Sequence, residues 1–239
     1  MSAFRSMTDQ VAVVVGVGPG LGKALAETCA SQGMKVAAIA RNLERLTEIT
    51  NEFDSVTPYA ADASDAGSLH AAFERIEADL GAPDLVVFNA GTFEPAQVLD
   101  IDPADFERCW KIGCYGGLIT GQEAARRMLP RGSGTIVFTG ATAAMRGSKG
   151  FANLAVPKFG LRALAQCLAR ELGPQGIHVA HVIIDGQIES ERYAHLVKER
   201  GNNALLKPAD IAATYLMLHQ QSPTSWSQEL DLRPASERF

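Results

Sequence analysis

The chain alternates short apolar runs with longer segments in which apolar residues recur at helical spacing. The apolar runs predict seven strands, at Val11–Val15, Lys35–Ala40, Val56–Ala60, 85–89, 135–139, 178–184 and Glu229–Leu232. The segments between them predict helices at 21–32, 42–53, Ala66–Leu80, 103–128, 151–172 and Pro208–His219. Strands that are apolar at nearly every position are typical of a parallel sheet between two helical layers. We therefore predict an α/β fold, a doubly wound parallel seven-stranded sheet with helices on both faces.

Local signals mark several of these boundaries. Asn42 is a predicted N-cap, Pro103 stands in a first helical turn, and Gly173-Pro174 is a stop signal. No internal repeat or linker divides the chain, so residues 1–239 are predicted to form a single domain. The least regular stretch, 185–207, is long for a connection within a domain and is predicted to be a substrate lid.

Composition narrows the class of protein. The 239 residues are 46% hydrophobic and 21% charged, which is typical of a globular protein, and the net charge of -5 disfavours nucleic acid as a partner. The sequence shows neither the apolar core of a signal peptide nor an apolar run long enough to cross a membrane, so we expect a cytoplasmic protein. The four cysteines form no CxxC pair and are expected to be buried thiols in helices, and the histidine spacing predicts no metal.

A glycine-rich sequence joins the first strand to the first helix. It reads Gly16-Val17-Gly18-Pro19-Gly20-Leu21-Gly22. Glycines permit a tight turn and close approach of the backbone to a diphosphate, and the following helix directs its free N–H groups at the anion. The strand before and the helix after favour a dinucleotide-binding Rossmann fold over a purely structural turn. The candidate contacts are Gly16, Gly18, Gly20, Leu21 and Gly22.

The end of the second strand bears on which nicotinamide dinucleotide is bound. An acidic residue there binds the ribose hydroxyls of NAD, but this strand ends at Ala40 and is followed by Arg41 and Asn42. A guanidinium pairs well with a 2′-phosphate, so NADP(H) is favoured over NAD(H), with Arg41 and Asn42 as further candidate contacts. The alternative is that Arg41 is a solvated surface charge.

Further motifs follow the later strands. Asp62 follows the third strand, Asn89-Ala90-Gly91 the fourth and Gly186-Gln187-Ile188-Glu189-Ser190 the sixth, while Lys158 stands near the start of a long helix. Together with the GxxxGxG spacing at 16, 20 and 22, they resemble the short-chain dehydrogenase/reductase family over nearly the full length of the chain.

The resemblance implies a role for each of these residues in holding the cofactor. Asp62 is expected to bond the adenine, and Asn89, Ala90 and Gly91 to line its ribose. Lys158 is expected to hold the nicotinamide ribose. The segment from Gly186 is expected to reach the carboxamide and phosphates, chiefly through Ile188 and Ser190.

The same resemblance implies a catalytic serine, a tyrosine four residues before the lysine, and an asparagine in the preceding long helix. The corresponding positions here are Ala141, Leu154 and Gly113, so of this set only Lys158 is present. A positioned general acid supplies roughly 10²- to 10⁴-fold in rate, which alanine and leucine cannot supply. The chain is therefore predicted to be an atypical family member that lacks the usual Ser and Tyr.

Other polar residues are predicted to lie near the same sheet edge. Thr142 is adjacent to Ala141, Thr139 precedes it on the same strand, and Asp185 follows the sixth strand, where ligands bind in this architecture. The candidate catalytic residues are therefore Lys158, Thr142 and Asp185. The alternative for Thr142 and Asp185 is a capping, turn or surface role.

Two functional hypotheses follow from this pattern. The first is an NADP(H)-dependent oxidoreductase with altered proton delivery. The second is a catalytically inactive dinucleotide-binding sensor or partner subunit, a pseudoenzyme; a structural subunit that binds no dinucleotide is a third. The small apolar residues expected around the site favour an apolar small-molecule ligand, and they are Ala141, Ala143, Ala144, Leu154 and Phe93.

The resemblance further implies a homodimer or homotetramer. In that family the long helix before Lys158 and the helix after it build a subunit interface. Leu161, Leu164, Ala165 and Leu168 follow helical spacing and either form such a seam or face the sheet.

Overall fold

Seven parallel strands form one sheet in the order β3-β2-β1-β4-β5-β6-β7. The computed structural model describes residues 6–201 and 203–237. The strands are β1 (Val11–Val15), β2 (Lys35–Ala40), β3 (Val56–Ala60), β4 (Leu85–Phe88), β5 (Gly134–Thr139), β6 (Ile177–Ile184) and β7 (Glu229–Leu232). The order reverses between β1 and β4, which is the point beside which ligands bind in doubly wound sheets. The predicted fold class is confirmed.

The connections between the strands are mostly helical. Within the described residues the α-helices are α1 (Leu21–Ser31), α2 (Leu43–Thr50), α3 (Ala66–Leu80), α4 (Pro103–Trp110), α5 (Gly116–Met128), α6 (Ala152–Leu172), α7 (Ala194–Arg200) and α8 (Pro208–His219). Side-chain caps fix several of their starts. Asn42 accepts a hydrogen bond from the N–H of Arg45, and Asp65 and Asp102 cap α3 and α4 in the same way.

The sheet is buried on both faces because successive side chains of its strands enter two different helical layers. Ala12 and Val14 of β1 pack in the layer that contains α1, α2 and α8. Val13 and Val15 pack in the layer that contains α3, α5 and α6. The apolar runs of the sequence therefore mark strands buried from both sides, and the polar groups of the site are left at the strand ends.

The helix predicted over 103–128 is not continuous. α4 ends at Trp110, and a π-helical turn over Lys111–Tyr115 precedes α5. The turn is closely packed: a Cβ on Gly113 would lie 3.1 Å from Cβ of Pro157, and one on Gly116 would lie 2.2 Å from the carbonyl oxygen of Ala63. Single π turns often occur beside functional sites. The π turn is a tertiary feature that helical periodicity does not show.

The residues proposed for a subunit seam on α6 face the sheet. Leu161 and Ala165 are fully buried in the core, and Leu164 and Leu168 pack against the same cluster. The reading that they face the sheet therefore holds for Leu161 and Ala165, whereas Leu164 and Leu168 are half-buried at the margin of the same cluster.

The expectation that all four cysteines are buried is wrong for two of them. Cys29 and Cys109 are buried, Cys114 is half-buried, and Cys167 is exposed on α6. All four lie in helical segments, as the sequence predicts. Helical periodicity alone does not separate the buried positions from the exposed one.

The segment 185–207 is fastened at both ends. Ile188 pairs with Leu206 in an isolated parallel bridge, and α7 lies between them. The carboxyl-terminal residues pack on this segment: Pro234 lies against Gly186, and Ser236 Oγ donates a hydrogen bond to the carbonyl oxygen of Asn203 at 2.8 Å. Residues 234 and 236, which follow β7, therefore pack against the described part of the segment.

Within residues 6–201 and 203–237, no helix is both long and apolar enough to span a membrane. Within the same ranges, no group of three or more His, Cys, Asp or Glu side chains is placed to hold a metal ion.

Candidate functional site

A cleft of about 480 Å³ opens at the carboxyl edge of the sheet, around the ends of β1 to β4. It is lined by most of the predicted cofactor contacts, namely Gly16, Gly18, Gly20, Leu21, Gly22, Arg41, Asn42, Asp62, Asn89, Ala90 and Gly91. Arg45 also lines the cleft and is absent from the residues that the sequence predicts. Its signal is its place four residues after Arg41, in the first turn of α2, where it adds a second cation to that end of the cleft.

Two glycines of the turn are required by the protein's own packing. Gly16 has a φ of 94°, and a Cβ there would lie 2.5 Å from the backbone nitrogen of Ala90. A Cβ on Gly22 would lie 2.7 Å from the carbonyl oxygen of Gly16. These contacts let β1, β4 and α1 approach closely at the switch point.

The other two glycines of the turn have no such internal reason. A Cβ on Gly18 or on Gly20 would meet nothing within 4 Å, and both residues line the cleft. Gly20 is the N-cap of α1, and because glycine has no side chain it cannot accept hydrogen bonds from the first N–H groups of that helix. The turn therefore leaves open space at Gly18, Gly20 and the start of α1, facing the cleft.

Asn89 fastens the glycine turn to β4. Its Nδ2 donates a hydrogen bond to the carbonyl oxygen of Gly16 at 2.9 Å, and its backbone N–H donates to Val15 at 2.8 Å. Asn89 lines the cleft as well, so its side chain also maintains the shape of the turn. This structural contact adds to the ribose contact that the family resemblance implies.

Polar side chains also line the cleft after the ends of β2 and β3. The Oδ1 of Asp62 accepts hydrogen bonds from the hydroxyl and the backbone N–H of Ser64, at 2.7 and 2.8 Å. Burial opposes ionisation of Asp62, but these hydrogen bonds and the nearby charge of Arg41 outweigh it and lower the pKa of Asp62. The Oδ1 of Asn42 already accepts the hydrogen bond that caps α2. The cationic side chains that line the cleft are those of Arg41 and Arg45.

Lys158 adjoins the cleft at Gly91. The distance from its Nζ to the position of a Cβ on Gly91 is 3.9 Å. The side chain is buried, with 7% of its surface exposed, and Nζ donates a hydrogen bond to the carbonyl oxygen of Thr139 at 2.6 Å. Burial lowers the pKa of Lys158 to about 8, because the charged form is poorly solvated.

Thr142 and Asp185 form a separate polar group with Arg233. The hydroxyl of Thr142 donates to Oδ1 of Asp185 at 2.5 Å, and Nη2 of Arg233 lies 3.2 Å from Oδ2 of the same carboxylate. Asp185 is buried, so this group connects the turn after β5 to the residue after β6. Both oxygens of Asp185 are engaged, and its contact with Arg233 is not among the sequence predictions.

The side chain of Thr139 points away from Lys158. Its hydroxyl oxygen accepts a hydrogen bond from Tyr215 of α8 at 3.0 Å, in the opposite helical layer. Tyr215 is fully buried, and burial raises its pKa. Thr139 therefore contributes its carbonyl oxygen to the site, and its hydroxyl is held in the core.

The last predicted cofactor residues do not line the cleft. Gly186 packs on Pro234, Ile188 pairs with Leu206, and Ser190 is exposed. Of the predicted apolar wall, Ala144 is fully buried and cannot face a ligand, whereas Ala141 and Leu154 are half-buried. The turn after β5 folds into a 3₁₀ helix, which carries Ala144 inward.

Fold and cleft together define an α/β protein of Rossmann type whose ligand cleft lies at the switch point of its sheet. Residues 10–201 match the family model described as short chain dehydrogenase. The chain belongs to the short-chain dehydrogenase family.

Individual relatives agree with this assignment. The crystal structure of a short-chain dehydrogenase from Rhodopseudomonas palustris is 34% identical, covers 95% of this chain and 99% of its own, and has a TM-score of 0.83. Sorbitol-6-phosphate 2-dehydrogenase of Escherichia coli is 26% identical over 87% of this chain and 83% of its own length. A metagenomic short-chain oxidoreductase solved in complex with NADP shares the fold, with a TM-score of 0.84, 24% identity, and coverage of 98% of this chain and 100% of its own.

Proposed function

We propose that this protein is an NADP(H)-dependent oxidoreductase in which Lys158 delivers the proton that a tyrosine delivers in most of its family. The observation that carries the proposal is the buried Lys158 ammonium beside the cleft, with a pKa lowered to about 8. A general acid is most effective when its pKa is near the working pH. The sequence change that motivates the proposal is Leu154, which stands one helical turn before Lys158.

The residues of the cleft fit a phosphate-bearing nicotinamide dinucleotide. The N–H groups at the start of α1 and the open space at Gly18 and Gly20 suit the diphosphate. Asp62 suits the adenine, and Arg41 with Arg45 suits a 2′-phosphate. When bound, such a cofactor supplies or accepts a hydride.

The proposed proton transfer uses the N–H groups of Lys158. An ammonium has three donors, and one of them is directed to the carbonyl oxygen of Thr139. That contact orients Nζ, and the other donors are left for the ligand. We further propose that Thr142, held by Asp185, orients the substrate oxygen in place of the family's serine.

The preference for NADP(H) is tested by removing the two cations. Arg41→Ala and Arg45→Ala should each weaken NADPH binding, together by roughly 10- to 100-fold, because each removes a charge-assisted contact to the 2′-phosphate. NADH lacks that phosphate, so the affinity for NADH should change by less than about 3-fold. Isothermal titration calorimetry of both nucleotides measures the effect, with the exposed Arg170→Ala as control. Equal losses for the two nucleotides would remove both arginines from this role.

Turnover is tested with NADPH and a panel of aldehydes, ketones, imines and activated alkenes, followed by absorbance of the reduced cofactor. We expect oxidation of NADPH with at least one class and a rate that declines as Lys158 loses its proton above about pH 8.

The alternative is a catalytically inactive dinucleotide-binding sensor or partner subunit. One observation favours this alternative: Gly113 stands at the position of the family's asparagine, and Pro157 packs closely on it. Nucleotide binding without turnover across the panel would favour the alternative.

The proposal also extends to the class of substrate, the segment that covers it, the assembly and the location of the protein. We propose an apolar substrate, because Phe93 and Phe151 form an aromatic pair with centroids 4.7 Å apart and Leu154 is half-buried nearby on α6. We also propose that segment 185–207 covers the substrate, that the protein is a homodimer or homotetramer, and that it works in the cytoplasm.

A further inference from the structure

The carboxyl ends of the last three strands bring together a threonine, an aspartate and an arginine. Thr142 lies in the turn after β5, Asp185 directly follows β6, and Arg233 directly follows β7. In the sheet register Ile184 is opposite Leu232, so Asp185 and Arg233 are the next positions along two paired strands. The backbone N–H of Asp185 donates to the carbonyl oxygen of Leu232 at 2.8 Å and continues this register. The three side chains therefore form a row along the carboxyl edge of the sheet.

A buried carboxylate stands at the centre of this row. Asp185 is 6% exposed; the hydroxyl of Thr142 donates to its Oδ1 at 2.5 Å, and Nη2 of Arg233 lies 3.2 Å from its Oδ2. A buried carboxylate is costly without a cation, and removing one partner of a buried ion pair leaves an uncompensated charge. Arg233 therefore compensates the charge that holds the Thr142 hydroxyl.

Arg233 is itself restrained by its neighbours in the chain. A residue before proline is limited to extended backbone conformations, so Pro234 keeps Arg233 in line with β7. Pro234 is buried, and a Cβ on Gly186 would lie 2.8 Å from its Cδ. The guanidinium also binds Asp231, an exposed carboxylate on β7. Arg233 is therefore held at its backbone and at its guanidinium.

The turn that carries Thr142 adjoins the helix of the proposed proton carrier. The 3₁₀ helix Thr142–Ala144 packs against α6, which carries Lys158. The carbonyl oxygen of Thr139, the last residue of β5, accepts the hydrogen bond from Nζ of Lys158 at 2.6 Å. Thr142 is half-buried, so part of its surface is accessible. A displacement of Thr142 would therefore alter the proposed site, although Arg233 makes no contact with Lys158.

We propose that Arg233 is a positioning residue of the substrate site, which holds Thr142 in place through Asp185. This deepens the proposed function and rests on it, because Thr142 is the residue proposed to orient the substrate oxygen. The hydroxyl of Thr142 has one proton, and it is donated to Asp185, so Asp185 sets the orientation of that hydroxyl. Arg233 in turn sets the position of Asp185. The chain after β7 thereby belongs to the substrate site, although every site residue predicted from the sequence precedes it.

The first test measures turnover of a substrate that the wild-type protein accepts. Arg233→Met should lower kcat by roughly 10-fold with a smaller change in KM, because the substrate oxygen is no longer held in line with the hydride donor. Arg233→Lys keeps the charge and should lose less than about 3-fold. In a Thr142→Val background, Arg233→Met should cost less than about 2-fold, because the residue that Arg233 positions is gone. The affinity for NADPH should change by less than about 2-fold, since that cleft surrounds the ends of β1 to β4.

The second test does not depend on turnover. Hydrogen exchange of the backbone amides of residues 140–146 should be roughly 10-fold faster in Arg233→Met and close to wild type in Arg233→Lys. Asp231→Asn is the matched control, because it removes the exposed partner of Arg233 and leaves Asp185 paired. It should leave both the exchange and kcat within about 2-fold of the wild type. Arg233→Gln takes the place of Arg233→Met if that variant does not fold.

The two tests separate this inference from the proposed function. An equal loss of kcat for Arg233→Met with and without Thr142→Val, or the same loss in Asp231→Asn, would overturn the inference. If the wild type turns over no substrate but exchange over 140–146 rises in Arg233→Met, the positioning stands and the proposed catalysis fails; unchanged exchange in that case overturns both. If the wild type turns over substrate and Arg233→Met changes neither kcat nor exchange, the inference alone fails.

Discussion

Replacing Lys158 with methionine should lower turnover by roughly 10²- to 10⁴-fold, because no other group adjoining the cleft is proposed to carry the proton. The same change has a second, independent signature in stability. The folded-state pKa of Lys158, about 8, is below the value of about 10.4 for an unfolded lysine. Between these pH values the unfolded chain binds more protons, so this residue makes the folded state more stable as pH rises.

The sign and size of the effect follow from that interval. Below pH 8 the wild-type protein carries the full penalty of a buried ammonium, about 3 kcal/mol, and above about pH 10.5 the penalty is gone. The advantage of Lys158→Met over the wild type in free energy of unfolding should therefore shrink by about that amount across this range. Urea denaturation at a series of pH values measures it.

A surface lysine provides the control for this experiment. Lys198 is exposed on α7, and Lys198→Met should give a curve parallel to that of the wild type. Parallel curves for Lys158→Met as well would mean that Lys158 titrates as an ordinary lysine, and its proposed role as proton carrier would be lost.

Gly16→Ala should destabilise the protein by on the order of 3 kcal/mol and abolish nucleotide binding. The alanine would have to adopt a φ of 94° and to place its Cβ 2.5 Å from the backbone nitrogen of Ala90. Either β4 or the glycine turn must then move, and both border the cleft. Chemical denaturation and calorimetry with NADPH measure the two effects.

Gly20→Ala is the matched comparison because its new methyl group meets no protein atom within 4 Å. Its free energy of unfolding should stay within about 1 kcal/mol of the wild type. Its nucleotide affinity should still fall by at least about 10-fold, since the methyl group enters the space assigned to the diphosphate. Unchanged affinity in Gly20→Ala would show that the diphosphate does not bind at this turn.

The sheet could be predicted from the sequence because strands buried on both faces are apolar at nearly every position. β1 and β2 match the predicted strands residue for residue, as do α3 and α8 among the helices. The glycine turn was equally accessible, since its spacing between the first strand and the first helix is visible in the sequence, although the contact that requires Gly16 is with the distant Ala90. These features depend on local patterning, which one sequence contains.

Features that depend on distant parts of the chain could not be predicted in this way. The π turn at Lys111–Tyr115 packs against α6 through Gly113 and Pro157, which are far apart in sequence. The engagement of Asp185 by Arg233 likewise requires the position of the chain after β7. Arg45 is different, because its spacing from Arg41 was visible and only its relation to the cleft was missing.

The attachment of the last described residues to segment 185–207 has a practical consequence. Pro234 seats on Gly186, Ser236 is bonded to Asn203, and Arg233 reaches Asp185. An affinity tag or an immobilisation linker fused just after these residues would disturb their contacts with segment 185–207, which is proposed to cover the substrate. Fusion ahead of residue 6 is the better design for assays and for crystallisation, because residues 6–10 lead into the amino end of β1, at the edge of the sheet opposite the strand ends that form the cleft.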